Sequence, residues 1–508
     1  MDRGKPDIIR YHANGRTVTW ISGVQFFSQS EASLAELVGL KYEYTDAAGP
    51  VADSRLVDPA DRARLWLRVW VELCTWWREI DGGPIGPTPA SSAWNFVRKR
   101  LSPKTVLSCQ EPDIRRLEEL SLFGGEATTW HYAPVAPSYQ SGRDDPELTD
   151  GRPYPVTLGP IDHYDVSSMY PTLLATERFP TRYLYRYEQP SIAGLIDMLE
   201  RWCVIASVVV RTDAPDYPVR RGDRVIHPTG TFHVTLTTPD LRHALASGHV
   251  VRVVRAVTYA GGRPFAAAVA ELVEHRRKAD AAGRPVWAMF AKLLGNSFGG
   301  RMAMRSHGWK RAPGVHPTRQ WGEWLQRDAQ TGAVRRFRSR GGLVDVWEEV
   351  GTPTRPLAAC FAHLTAYGRS AMRALRASLP PRSVVSQDTD GVWLLRHKLT
   401  GRTPAGTIPG SSSLRLRLTE SSTSGRWYGP RHYRVDSGWT LAGLHDPRRW
   451  CDGLSWIDSY SQVPKWTADK RPPVWVYECE RRVRLGEIPA DGTVGPDGWL
   501  TPYHLIQE

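Results

Sequence analysis

The 508 residues include 41% hydrophobic and 23% charged residues. That balance excludes a disordered or fibrous chain and allows several domains with at least one large core. The formal charge of +13 favours a polyanionic partner, nucleic acid foremost, although a GC-rich coding sequence would also raise Arg, Trp, Gly and Pro. The six cysteines (Cys74, Cys109, Cys203, Cys360, Cys451 and Cys479) show no metal-ligand spacing. They read as reduced, mostly packed thiols of an intracellular protein. The N-terminus has no signal-peptide pattern, and the strongest apolar run, Trp202 to Val210, is too short to span a membrane.

In chain order, residues 17–27 read as strand and 30–40 as a short helix with Ser30 as N-cap. Asp58 to Ile80 predicts a long helix, with Pro59 at its first position and Trp and Leu at helical spacing toward a core. Residues 134–160, rich in Pro, Gly, Ser and Asp, predict a linker. A strand ending at Asp165 and a helix from Tyr170 follow. Residues 180–260 mix strands and turns around a helix at 191–201, and the β-branched run after Trp202 reads as a buried strand. Residues 264–304 predict two antiparallel helices broken at Gly283-Arg284-Pro285, and 305–352 a basic inserted hairpin or loop. Residues 355–378 predict a helix. Val384 to Leu395 predicts a hairpin around an acidic turn, 401–425 a mobile segment, and the remainder no clear long element.

Three stretches carry chemistry. In Tyr164-Asp165-Val166-Ser167-Ser168-Met169-Tyr170-Pro171, an Asp at a strand end precedes a helix N-terminus, a place that favours phosphate. Asp388-Thr389-Asp390 sits at a hairpin turn. Alone it is more often a plain acidic turn; converging with Asp165 it would demand cations, and Mg²⁺ suits an all-oxygen site. In Lys292-Leu293-Leu294-Gly295-Asn296-Ser297-Phe298-Gly299-Gly300-Arg301, Lys292 and Asn296 share a helix face and could meet a triphosphate. Arg276 and Arg277 add positive charge on the preceding helix. A solvated surface is the plain alternative for all of these cations.

In this order the three stretches resemble motifs A, B and C of family B DNA polymerases (DxxSLYP, KxxxNSxYG and DTDS). Phe123-Gly124-Gly125 resembles the YxGG signature. His227-Pro228-Thr229-Gly230, the 236–248 segment and the 357–372 helix resemble the protein-primed branch of phage and linear-plasmid replicases. Arg431-His432-Tyr433 resembles the KxY primer-contact motif. The resemblance is good over about 115–445, weak over the first hundred residues and nearly absent over the last sixty.

It implies an α+β right-hand fold of palm, fingers and thumb, with a ribonuclease-H-like exonuclease remnant at the N-terminus. The implied boundaries are exonuclease-like 1–114, palm 115–178, a terminal-protein-binding-like insertion 179–263, fingers 264–304, a processivity-like insertion 305–352, palm 353–425, and thumb with C-terminal region 426–508. Residue by residue, it implies that Asp165, Asp390 and the Val166 carbonyl ligate two Mg²⁺ ions, for which Mn²⁺ could substitute. Asp388 would be the third catalytic carboxylate. Tyr170 would pack under the incoming sugar, and Arg276, Lys292 and Asn296 would bind the deoxynucleoside triphosphate. Gly124 and Gly125 would approach the template, and Arg431 and Tyr433 would hold the primer. Template-primer DNA and a terminal protein are the implied partners, no membrane is involved, and the implied setting is the cytoplasm of a bacterium or a phage-infected cell.

The departures are specific. Gly299 replaces the motif B Tyr, with Phe298 one place early. Ser386 stands two places before Asp388 where Tyr is usual, Gly391 replaces Ser, Arg431 replaces Lys, and Leu122 replaces the YxGG Tyr. Residues 1–100 contain no DxE; Ser22-Gly23 and Arg64 fall where exonuclease Asp residues would be expected. A truncated, inactive exonuclease kept as scaffold is the resulting expectation. Two alternatives stay open: a catalytically silent nucleic-acid-binding subunit, and a nucleic-acid-primed repair or bypass polymerase.

Overall fold

The computed structural model describes residues 9–13, 16–20, 31–40, 59–86, 88–102, 111–133, 158–221, 224–302, 307–312, 321–327, 334–340, 343–349, 357–399, 404–441, 455–465, 474–484 and 490–506. All but the last three residues of the expected 134–160 linker, the Ser30 and Asp58 caps, Ser22-Gly23, Cys109 and Cys451 lie outside these residues.

A six-stranded sheet forms the centre of the molecule. It runs in the order Gly406–Thr407, Arg415–Ser422, Ile161–Val166, Gly391–Leu395, Val384–Asp388, Ala127–Thr129. Ile161–Val166 is thus a central strand, and its two neighbours, Arg415–Ser422 and Gly391–Leu395, lie more than 200 residues downstream. The Met169–Thr176 and Ala358–Ser378 helices pack together on this sheet's motif A end, where a Cβ on Gly368 would press on Met169 Cε at 2.9 Å.

A second sheet has the strand order His504–Ile506, Thr229–Thr237, Cys203–Thr212, Val250–Gly262, Phe179–Glu188, so four of its five strands fall within residues 179–263. Its central strand Cys203–Thr212 is buried at every position but Arg211, because β-branched and small residues fill both faces. The Ile192–Arg201 helix covers this sheet through Leu195, Met198 and Leu199. The 307–349 region is a four-stranded antiparallel sheet rather than one hairpin.

The Pro59–Glu79 and Pro89–Arg100 helices share one core with the Ala266–Ala281 and Pro285–Met302 helices. Trp76 lies 5.9 Å from Phe290, Trp94 stacks on Phe298 at 6.2 Å, and Trp287 Nε1 donates to Glu72 Oε2 at 2.9 Å. The expected break between the two later helices is present: Gly283 takes φ +64° and Pro285 opens the next helix.

Two expectations need correction. Residues 401–425 are not simply a mobile segment: Arg415–Ser422 is a strand of the central sheet, paired with Ile161–Val166. Leu414 and Leu416 are buried on one side while Arg415 and Arg417 face solvent, and the long cationic side chains hide that alternation from a composition reading. The C-terminal region does contain long elements, an 11-residue hairpin pair Ser455–Lys465 and Val474–Arg484. Its last strand, His504–Ile506, returns to pair in parallel with Thr229–Thr237. Among the described residues no helix is long and apolar enough to cross a membrane.

Candidate active site

The antiparallel ladder fixes the carboxylates. Gly391 is the cross-strand partner of Asp165, and the Val166 N–H donates to the Asp390 carbonyl at 2.9 Å. The acidic turn is therefore delivered to the end of the motif A strand by backbone pairing, independently of any side chain. Thr389, between the two aspartates, has φ +59°, and its N–H donates to the Glu126 carbonyl at 2.7 Å. On the other side of the motif A strand, Arg417 pairs with Asp165, and its guanidinium stands 3.7 Å from Asp165 Oδ1.

Charge accumulates here faster than it is neutralised. Burial, then the nearby Asp165, and further Asp388, push the Asp390 carboxyl up to about 6. Tyr170, in the first turn of the motif A helix, is pushed up to about 12 by burial and by Asp390. Asp388 does have a partner: Arg431 donates from Nε to Oδ2 at 2.8 Å and from a terminal nitrogen to Oδ1 at 2.6 Å. This two-pronged geometry is available to Arg and not to Lys. Arg431 itself sits at φ +63°, in the turn between strands Gly425–Gly429 and His432–Val435. The three carboxylates do not close into one tight cluster, as expected for like charges with one partnered by Arg431. The donor set at Asp165 and Asp390 is all oxygen, half-buried and short of cations. It fits Mg²⁺ or Mn²⁺ better than any softer ion.

The glycine pair lies against the same turn. A Cβ on Gly125 would stand 2.7 Å from Thr389 Oγ1, so only glycine permits this approach. Gly124 has φ +79°, and its carbonyl accepts from Arg369 at 2.5 Å. Tyr433 is held in an aromatic stack, 5.8 Å from Trp427 and 5.7 Å from Trp393.

Motif B is brought to motif A by packing: a Cβ on Gly295 would meet Pro171 at 3.7 Å. Lys292, Asn296 and Gly300 form an exposed stripe on the Pro285–Met302 helix. Arg276 is not directed at the carboxylates by any contact among the described residues. It lies 3.9 Å from Asp280 one turn along its own helix, and Arg277 pairs with Glu274.

The departures have local causes. Phe298 is buried against Trp94 and Phe265, so the early aromatic belongs to the core. Gly299 faces Leu364 across a helix contact, where an added Cβ would sit 3.4 Å away. A side chain on Gly391 would meet His163 Nε2 at 2.7 Å; that ring packs 4.7 Å from Trp393 and lies 2.7 Å from Thr419 Oγ1 through Nδ1. Ser386 is buried, its hydroxyl 3.4 Å from that of Thr129. Arg64 is an exposed residue paired with Asp61.

Sequence reasoning missed Arg417, His163 and Arg369. For Arg417 the signal was the Leu-Arg alternation at 414–418. For the other two no local signal exists, since their partners lie far along the chain.

Residues 149–312 match the family model described as DNA polymerase type B, organellar and viral. None of the curated proteins matches the chain by sequence. Among solved structures, Phi29 DNA polymerase in an orthorhombic crystal form is similar at 12% identity, covering 94% of this chain and 82% of that one with a TM-score of 0.56. The same enzyme complexed with primer-template DNA, and with primer-template DNA plus incoming nucleotide substrates, matches with the same identity and coverage and a TM-score of 0.57. The family match spans the Asp165 stretch and the Lys292–Asn296 helix, and nearly all of the chain shares its fold with Phi29 DNA polymerase.

Proposed function

We propose that this chain extends a primer 3′-OH, or a protein hydroxyl at initiation, by template-directed addition of deoxynucleotides in phage or plasmid replication. The observation that carries the reading is the pairing of the Asp388–Asp390 hairpin onto the Asp165 strand, which leaves the Asp390 carboxyl raised to about 6. Carboxylates crowded in this way are poised to gain from divalent cations.

Asp165, Asp390 and the Val166 carbonyl would hold the ions, and Asp388 would add charge beside them. Bound Mg²⁺ would supply charge neutralisation for an in-line displacement at the α-phosphate, with pyrophosphate leaving. The chain's own residues position the reactants. Tyr170 lies beside the carboxylates, where it can bear on the incoming sugar. Lys292 and Asn296 offer an exposed cation and amide on one face, and Arg276 can join them once freed from Asp280. Gly124 and Gly125 bring unhindered backbone to the template side of the turn. Arg431, rooted beside Asp388, and Tyr433, stacked on Trp427, suit the primer terminus. The basic surface holds template and primer.

The 1–114 region is read as a scaffold without proofreading. Its helices pack through tryptophans onto the fingers, and it carries no DxE. A protein primer is favoured by the 179–263 and 305–352 insertions, whose strands lie in sheets separate from the six-stranded one, the first completed by His504–Ile506.

The test is extension of a DNA primer with Mg²⁺ by unmutated protein and by Asp390→Asn, run beside deoxynucleotidylation of a candidate terminal protein. No extension by the unmutated chain would leave it a silent binding subunit. Degradation of an unpaired 3′ end that persists in Asp165→Ala would show an active exonuclease.

A further inference from the structure

We propose that Asp216, His243 and His249 form a zinc-class transition-metal site in the 179–263 insertion, separate from the polymerase carboxylates. The proposal does not rest on the polymerase reading. Among the described residues, these three alone bring one ligand atom each to within 4.8 Å of one another. They come from three segments. Asp216 lies in the loop after the Cys203–Thr212 strand, and His243 in the last turn of the Thr238–Ala246 helix. His249 follows the Gly248 turn at φ +69°, with its N–H bonded to the Ala244 carbonyl at 2.8 Å.

The spacing is that of a coordination sphere. His243 Nε2 stands 3.0 Å from Asp216 Oδ2, whereas donors about 2.0 Å from a tetrahedral ion lie roughly 3.3 Å apart. A few tenths of an ångström of opening would admit the ion. The two imidazole rings approach edge to face, 6.1 Å apart at 80°. All three residues are half-buried, which leaves an approach for a water as fourth ligand.

Outer partners already orient the donors. Arg373 Nε stands 3.6 Å from the other Asp216 oxygen, Oδ1, and Arg373 donates to the Asp216 backbone carbonyl at 2.8 Å. The Tyr217 hydroxyl holds the His249 ring at Nδ1 at 2.8 Å and is a further oxygen at the site. Carboxylates and imidazoles steered in this way are the usual second layer of a metal site. Two imidazoles with one carboxylate suit Zn²⁺ and its neighbours rather than Mg²⁺, so this site and the all-oxygen palm site would select different ions. An ion here would clamp the 213–217 loop to the end of the helix that carries Asp240, and Asp240 is the anchor of Arg369 and Arg373.

The experiment uses full-length protein in an Asp390→Asn background, stripped with chelator and titrated with Zn²⁺ against a chromophoric competitor. One Zn²⁺ per chain is expected, bound at least about 100-fold more tightly than in His243→Ala/His249→Ala, with Tyr217→Phe weakened about tenfold. Zn²⁺ is also expected to raise the thermal midpoint of the His-intact protein only. Because the double His variant could fold poorly, Co²⁺ is added to the His-intact protein as a second measurement. Intense visible bands of a tetrahedral centre support the site, and the weak spectrum of hexaaquo-like Co²⁺ overturns it. Substoichiometric Zn²⁺, or affinity unchanged in a folded His variant, also overturns it.

Discussion

Two groups of three carboxylates lie close together in this molecule, and they are treated in opposite ways. Asp165, Asp388 and Asp390 share a sheet edge with one well-formed cationic partner, Arg431 on Asp388. Asp240, Asp216 and Glu126 meet an arginine row on the Ala358–Ser378 helix, with Arg369, Arg373 and Arg376 at one-turn spacing on one face. Arg369 and Arg373 each donate to one oxygen of Asp240, at 2.7 and 2.8 Å, and Arg376 reaches Glu126 at 2.9 Å and Gln387 at 3.0 Å. Burial alone would raise the Asp240 carboxyl, but the two guanidiniums outweigh it and hold it below the usual range. In the palm the balance runs the other way, and Asp390 rises. A carboxylate as fully paired as Asp240 is structure, whereas one left as crowded as Asp390 marks a place for an ion that the chain itself does not supply.

The largest expected effect breaks the paired side. Asp240→Asn leaves Arg369 and Arg373 facing each other in a site with no exposure at Asp240. Losing one partner of such a buried network costs about 3–5 kcal/mol, to be read as a lower midpoint in urea unfolding. An unchanged midpoint would mean that the network is not what holds the insertion to the palm. The matching substitution on the unpaired side, Asp390→Asn, is expected to leave folding intact and to lower primer extension about 100- to 1000-fold, since it removes charge that the native fold tolerates rather than uses.

The comparison also has a pH signature. The folded pKa of Asp390, about 6, lies above its ordinary value of 3.8. In chelator the native state therefore holds a proton that the unfolded state has released. Stability is fully present below about pH 4 and falls as pH rises toward about 6. The fall attributable to this group is at most about 2 kcal/mol, allowing for its partial exposure. Thermal midpoints between pH 4 and 6.5 are expected to converge for unmutated protein and Asp390→Asn at the acid end and to separate toward pH 6, with the variant the more stable. Saturating Mg²⁺ should close the gap. Asp491 and Glu118 are also raised by burial, but they are common to both proteins and cancel in the difference.

Much of the palm was legible because it is local. A β-branched strand, an acidic two-residue turn and a second apolar strand specify a hairpin without help from elsewhere, and the Gly-Arg-Pro break at 283–285 marks the helix pair of the fingers. The opposite holds for the arginine row. Arg369 finds Asp240 129 positions away and Gly124 245 positions away, and nothing in either neighbourhood names the other. The Arg415–Ser422 strand failed differently: its inward leucines were present, but Arg and Ser between them outweighed the pattern in composition. The departures at Ser386 and Gly391 made sense only once Thr129 and His163 were seen against them.

The smallest expected effect concerns Asp388, the carboxylate that Arg431 holds by both oxygens. Arg431 and Asp388 are about half exposed, so their pairing contributes no more than about 1 kcal/mol to folding, and Arg431→Lys should leave the unfolding midpoint nearly unchanged. Function should separate the two cations. Arg431 grips both Asp388 oxygens and thereby stands fixed at the end of the hairpin, whereas Lys offers a point charge on a flexible stem. Primer extension by Arg431→Lys is expected to need about tenfold more primer-template for half-maximal rate, about 1.4 kcal/mol, with the saturated rate little changed; Arg431→Ala should lose more. If Arg431→Lys instead lowered the saturated rate and left the DNA requirement alone, Arg431 would belong with Asp390, acting on the charge of the reacting centre. Asp388 would then be paired in appearance only, its guanidinium partner leaving when substrate arrives.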